Sequence, residues 1–168
     1  MKYGMSVTVE NYGKIADRAS ALGLLNPDGF VILPRNFDSA TDISELFYED
    51  STVTLRKLFR AGGVAESPLE KAETIPRIQE NASELILPTI LVTASLISEN
   101  SALVSIALNI ISSYAVDFLK GFPKDRTVKL NIVVERDRDH ESKKLQYEGP
   151  PEGIPTLGPA IRKMFDES

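Results

Sequence analysis

His140 is the single histidine of the chain. It stands in RDRDHES, residues 136–142, beside the carboxylates Glu135, Asp137, Asp139 and Glu141 and the arginines Arg136 and Arg138. General base catalysis needs a nucleophile and an oxyanion site arranged around the imidazole, and this stretch supplies neither. A lone histidine in a polar hairpin loop reads as solvated. The alternation of Asp137, Asp139 and Glu141 offers oxygen ligands to a divalent cation. It lacks the glycine and the spaced bidentate glutamate of a calcium-binding loop, so no metal is expected there.

Other chemistries fall away on composition. The 168 residues contain no cysteine, which removes disulfides, thiolate zinc sites, iron–sulfur clusters and cysteine nucleophiles. No phosphate-cradling GxxxxGK[ST] or GxGxxG occurs. Gly149, Gly153 and Gly158 precede a helix in YEGPPEGIPTLGPAIRK, but the interleaved prolines have no N–H to offer a phosphate, and a rigid connection is the better reading. No cofactor and no small-molecule ligand is inferred. Paired carboxylates remain open as acid–base machinery, which keeps a hydrolase as an alternative.

One helix gathers basic residues. DSTVTLRKLFRAGG places Arg56, Lys57 and Arg60 on a helix capped near Asp50 or Ser51 and stopped at Gly62 and Gly63. A short helix precedes it, in loose likeness to a helix-turn-helix reading element. The plainer reading is an amphipathic helix with Leu55, Leu58 and Phe59 inside, an acid at its start and bases near its end, as the helix dipole favours. A net charge of −5 repels a phosphate backbone and argues against nucleic acid as partner.

The most apolar stretch is SELILPTILVTASLISENSALVSIALNIISSYAVDFLKGF, where only Glu84, Glu99, Asp117 and Lys120 are charged. A spanning helix needs about 20 apolar residues to cross about 30 Å of hydrocarbon. Leu85 to Ser98 is too short, about 21 Å as a helix at about 1.5 Å per residue, and contains Pro88. Ala102 to Leu119 carries a polar stripe of Ser105, Asn109, Ser112 or Ser113, and Asp117 at helical spacing. A helical hairpin turning at SENS and buried in protein is therefore expected. Leu103, Ile106, Ile110 and Tyr114 should form one continuous apolar contact. Faces this wide exceed what a small domain covers alone, so a protein partner or self-association is expected to take the surplus. Release of the hairpin onto a membrane, as an effector would require, is the alternative; in the resting protein no membrane contact is expected.

The elements that must position these residues follow from periodicity. Ser6 to Val9 alternates as a strand, Asn11 is placed to cap a helix with Ile15, Ala19 and Leu22 on one face, and Phe30 to Pro34 reads as a buried strand. Ser67, Pro68 and Glu70 match a capping box, predicting a helix up to Pro76. Val128, Leu130, Ile132 and Val134 alternate, Leu145 and Tyr147 resume the pattern, and a short helix covers Pro159 to Phe165.

The fold class is α+β: a single domain over 1–168, with a small antiparallel sheet (the hairpin at about 127–148 plus short N-terminal strands) packed on an apolar helical hairpin at about 83–120. The N-terminus lacks the apolar core of a secretory signal, so a cytoplasmic location is the default for what reads as a soluble, bacterial-style domain. The function expected is a non-enzymatic binding or regulatory module that works through protein contacts, as an oligomer or a subunit of a larger assembly.

Overall fold

The computed structural model describes residues 5–70, 74–78, 85–121, 127–136 and 138–166. Strand β1 (Ser6–Gly13) leads to helix α1 (Ile15–Ala21) and β2 (Phe30–Leu33). A 3-10 turn (Ile43–Glu45) precedes the two-residue β3 (Tyr48–Glu49) and α2 (Thr52–Ala61). Then come β4 (Arg77–Ile78), β5 (Leu85–Ile86), β6 (Thr89–Val92), α3 (Ala94–Glu99) and α4 (Ala102–Leu119). The chain closes with the hairpin β7 (Val128–Glu135) and β8 (Ser142–Gly149), a 3-10 segment (Pro151–Leu157) and α5 (Gly158–Asp166).

Six strands form the main sheet in the order β1-β8-β7-β6-β2, with β5 also pairing β7. The α+β class holds, and the hairpin forms where the period of two places it. The sheet is larger than expected and is mixed. β1 runs antiparallel to β8, β8 to β7 and β2 to β6, whereas β5 and β6 both lie parallel to β7. The β6-to-β7 connection is the crossover made of α3 and α4.

Side-chain alternation sorts the sheet into two cores. Ile32, Ile90, Val92, Leu130, Ile132, Val134, Leu145 and Tyr147 face α2, α3, α4, α5 and the 3-10 segment at 151–157. Val31, Leu33, Leu91 and Val133 face α1 and the segment through Phe37, Ala40 and Leu46. Strands buried on both faces read as unbroken apolar runs, as FVIL and TILV do.

That double burial overturns one expectation. Leu85–Ile86 and Thr89–Val92 are strands and not the first arm of a helical hairpin; among the described residues of that arm only α3, six residues long, is helical before the turn at Asn100 and Ser101. A short apolar run has no period that separates a buried strand from a buried helix. Pro88 decides against helix, because it disfavours the α region at Leu87 and has no N–H for a helical bond. It also shapes the strand. Leu85 is opposite Val128 and Ile90 opposite Ile132, a slip of one residue across Leu87–Pro88. Without the slip Ile90 and Val92 would point to the wrong face; with it Leu85, Leu87, Ile90 and Val92 share one core.

Two local expectations also fail. Ser67 and Pro68 do not open a helix: Ser67 N–H donates to the Phe30 carbonyl at 2.8 Å, and the Leu69 carbonyl accepts from Leu25 N–H at 2.9 Å. Their backbone is spent on tying this segment to β2 and to the turn before it. Glu70 reaches forward, accepting from Thr74 N–H at 3.2 Å and from its hydroxyl at 2.9 Å. Asn11 belongs to β1, whose pairing with β8 runs on to Gly13, so α1 begins after Lys14 with no side-chain cap.

Candidate functional site

The face that α2 and α4 turn outward carries the largest group of expected contact residues. α2 is held from below by Leu55 and Phe59, both fully buried, and the Phe59 ring meets Phe30 edge-on with centroids 4.9 Å apart. Truncating such a ring typically costs about 3–5 kcal/mol, so the helix is firmly seated. Gly62 ends it and Gly63 reverses the chain at φ 83°. Leu58 lies outside this core, 38% exposed, where an inward position was expected. Leu55 and Phe59, one turn apart, already occupy the buried stripe.

α4 is seated by Val104, Ala107, Leu108, Ile111, Ala115 and Leu119. Ser112 is buried with them and donates to the Pro151 carbonyl at 2.9 Å, so it serves the core and leaves Ser113 on the polar stripe. Leu103, Ile110 and Tyr114 are half-buried against the core margin, and Ile106 is 45% exposed. Phe118 extends the same row one turn beyond Tyr114, 46% exposed, with ring centroids 6.1 Å apart. Burial, with the Asp50 charge adding to it, raises the pKa of the Tyr114 phenol.

Between the two helices lies an open groove of about 450 Å³, walled by Leu58, Gly62, Ile106, Ile110 and Tyr114. Asn109, Ser113 and Asp117 rim it with polar groups. Leu103, Ile106, Ile110 and Tyr114 therefore share one side of α4, and three of them line the groove. Leu58, Gly62 and Phe118 complete the surface. Phe118 was legible, since it continues the spacing of three and four along the helix; Leu58 and Gly62 join it only because α2 packs beside α4.

The three basic residues of α2 do not act together. Arg56 turns inward, its Nε 3.0 Å from a Glu66 carboxylate oxygen and its guanidinium 4.7 Å above the Tyr48 ring centroid. Burial, partly offset by Arg56, raises the Glu66 pKa above the usual carboxylate range. Lys57 and Arg60 remain exposed, beside Leu58.

At the loop end of the sheet, His140 adopts a left-handed backbone (φ 58°), and its Nδ1 lies 3.6 Å from Glu135. The other Glu135 oxygen accepts from Ala94 N–H at 2.8 Å and thereby caps α3. Ser95, next to Ala94 in the chain, donates to Asp28 at 2.5 Å. Asp139 accepts from Arg136 at 2.6 Å and from Glu141 N–H at 3.1 Å, which is the bonding of a closed turn. Asp137 lies outside the described residues. Among the described residues no group of three histidine or acidic side chains is gathered as a metal site would need.

Comparison with known proteins adds no relative: no protein-family model, no curated protein and no solved structure matches this chain.

Proposed function

We propose that the protein is a non-enzymatic cytoplasmic binding module that acts through protein contacts, with the α2/α4 face as its contact surface. One observation carries this reading. Leu58 and Ile106, both more than a third exposed, stand with half-buried Ile110 and Tyr114 around one groove, and exposed Phe118 continues the α4 row one turn beyond Tyr114. Contiguous apolar surface around a groove with a polar rim is the usual form of a protein contact site, and an amphipathic helix is the occupant such a groove between helices accepts. Three of the carboxylates that could do acid–base work are spent on structure: Glu135 caps a helix, Asp28 holds Ser95, and Glu66 holds Arg56.

A second reading rests on α4 itself. Its 18 residues have a mean hydropathy of 1.7, long and apolar enough to cross a membrane, and 39% of them are buried. On that reading the helix would be released to act on lipid.

A photo-crosslinking amino acid in place of Ile106, used in cells that make the protein, separates the two. Discrete protein adducts that disappear in a Phe118→Asp background are the expected result. Adducts with lipid, or leakage of liposomes by the purified protein, favour the membrane reading. Turnover of a nucleotide, ester or phosphodiester by the purified chain would move it to the enzyme class.

A further inference from the structure

We propose that β1 is an interface strand that pairs antiparallel with β1 of a second copy of this chain, with Thr8 on the two-fold axis. The surface is separate from the α2/α4 face and does not depend on its role.

The two ends of the sheet differ. At the β2 end, Phe30 bridges to Glu66 and its carbonyl accepts from Ser67 N–H, so another segment lies along that edge. At the other end β1 pairs β8 on one side, and among the described residues no strand lies along its outer side. Exposed edges are normally defended by shortness, lysine, proline or bulges, because a free row of N–H and C=O groups recruits another strand. β1 has eight residues with no proline and no lysine, and its irregularity comes only at Asn11/Gly13, after the regular stretch. Its one charge, Glu10, is already paired with Lys144 at 3.0 Å.

The two faces of β1 show what kind of strand it fits. Val7 lies opposite Tyr147 and Val9 opposite Leu145, so both valines stand on the side where the main core sits, yet they are 40% and 48% exposed. Met5, also exposed, adjoins them beside the 3-10 segment at Gly153. On the reverse face Thr8 donates to Gln146 at 3.1 Å and Glu10 holds Lys144, a surface suited to water. The incoming strand must therefore be apolar on one face and polar on the other, at the same period. β1 itself meets that description.

Register then follows from symmetry. A two-fold pairing that keeps both apolar faces on one side must centre on a residue and not between residues. With Thr8 on the axis, Val7 lies opposite Val9 of the second copy, Val9 opposite its Val7, and Thr8 opposite Thr8, the β-branched and threonine pairs that stabilise sheets. Glu10 lies opposite Ser6, so no like charges meet. Centring on Val9 would set Val7 against Asn11 and Thr8 against Glu10. Centring on Val7 would pair Val9 with Met5, which precedes the strand.

The absence of cysteine makes this register readable. Directly opposed residues have Cβ atoms about 4.5–5.5 Å apart, within reach of a disulfide after small adjustment. Thr8→Cys should crosslink to a covalent dimer under mild oxidation, whereas Ser6→Cys and Glu10→Cys alone should stay single chains and crosslink only when mixed. Light scattering of the unmodified chain should show a concentration-dependent dimer, and Val7→Lys with Val9→Lys should weaken it by about tenfold or more, since like charges then face each other. The lysines replace exposed side chains, so the thermal melt should hold; if the double variant fails to fold, the cysteine series still decides. A single-chain mass at every concentration, crosslinking without preference for position 8, or a dimer abolished by Ile106→Asp but not by the lysines overturns the proposal. So does an extended peptide from another protein that pairs with β1 of a chain that never self-associates.

Discussion

Gly62 sits so close beneath Ile110 that a Cβ added at position 62 would lie 2.6 Å from the Ile110 Cδ1. This approach sets the depth of the groove between α2 and α4. Gly62 has φ −88°, which alanine adopts freely, so Gly62→Ala tests the contact and not the backbone. The clash is with the tip of a half-buried side chain that can turn aside, and the cost should fall at the low end for overpacking, about 1 kcal/mol in urea denaturation. Displacing Ile110 fills the groove, so crosslinks from position 106 should fall off while the fold survives.

Ile106 and Ile111 lie on opposite sides of α4, and aspartate at each should have opposite consequences. Ile111 is 1% exposed; Ile111→Asp buries an uncompensated charge and should abolish the cooperative melt. Ile106→Asp meets solvent, so stability should change by less than about 0.5 kcal/mol while partner contact is lost. Circular dichroism melts of the two variants check this directly.

Removing Arg56 should make stability depend on pH in a stated direction. Burial already holds the Glu66 pKa above its ordinary value against the pull of Arg56. A carboxyl whose folded pKa is raised contributes stability that is fully present below its unfolded pKa and is lost as pH rises through the folded pKa. Arg56→Ala takes away the lowering influence and widens that window. The variant should lose about 1 to 3 kcal/mol near neutrality, the cost of an unpaired half-buried charge, and much less near pH 4 where Glu66 takes up a proton. Urea melts across that range, with Arg56→Ala/Glu66→Gln as the control that flattens the slope, supply the measurement.

Gly153 and Tyr147 form a tighter lock than Gly62 and Ile110. A Cβ at position 153 would run into the Tyr147 hydroxyl, which donates to the Pro150 carbonyl, and the ring is 1% exposed in the main core. Here the neighbour has no room to turn. Gly153→Ala should cost about 2 to 3 kcal/mol by thermal or chemical denaturation, and Tyr147→Phe should recover part of it by removing the clashing oxygen.

Period alone determined a good part of this fold. The alternation of Val128 through Val134 and of Leu145 and Tyr147 demands a hairpin, though not the single buried face it suggests, since Val133 is buried in the second core, and the spacing of Leu103, Ile106, Ile110 and Tyr114 demands one side of a helix, because these patterns depend only on local geometry. Tertiary structure decided the rest. Leu85 to Val92 carries no period, since a strand buried on both faces looks like any apolar run, and only the sheet order gives it a place between β7 and β2. Ser67, Pro68 and Glu70 have the residues of a helix start, but long-range bonds to Phe30 and Leu25 outweigh a local preference worth about 1 kcal/mol. The groove, too, is a matter of packing: Leu58 and Ile106 are 48 positions apart in the chain, and no local pattern can say that two separate helices will bring them to the same opening.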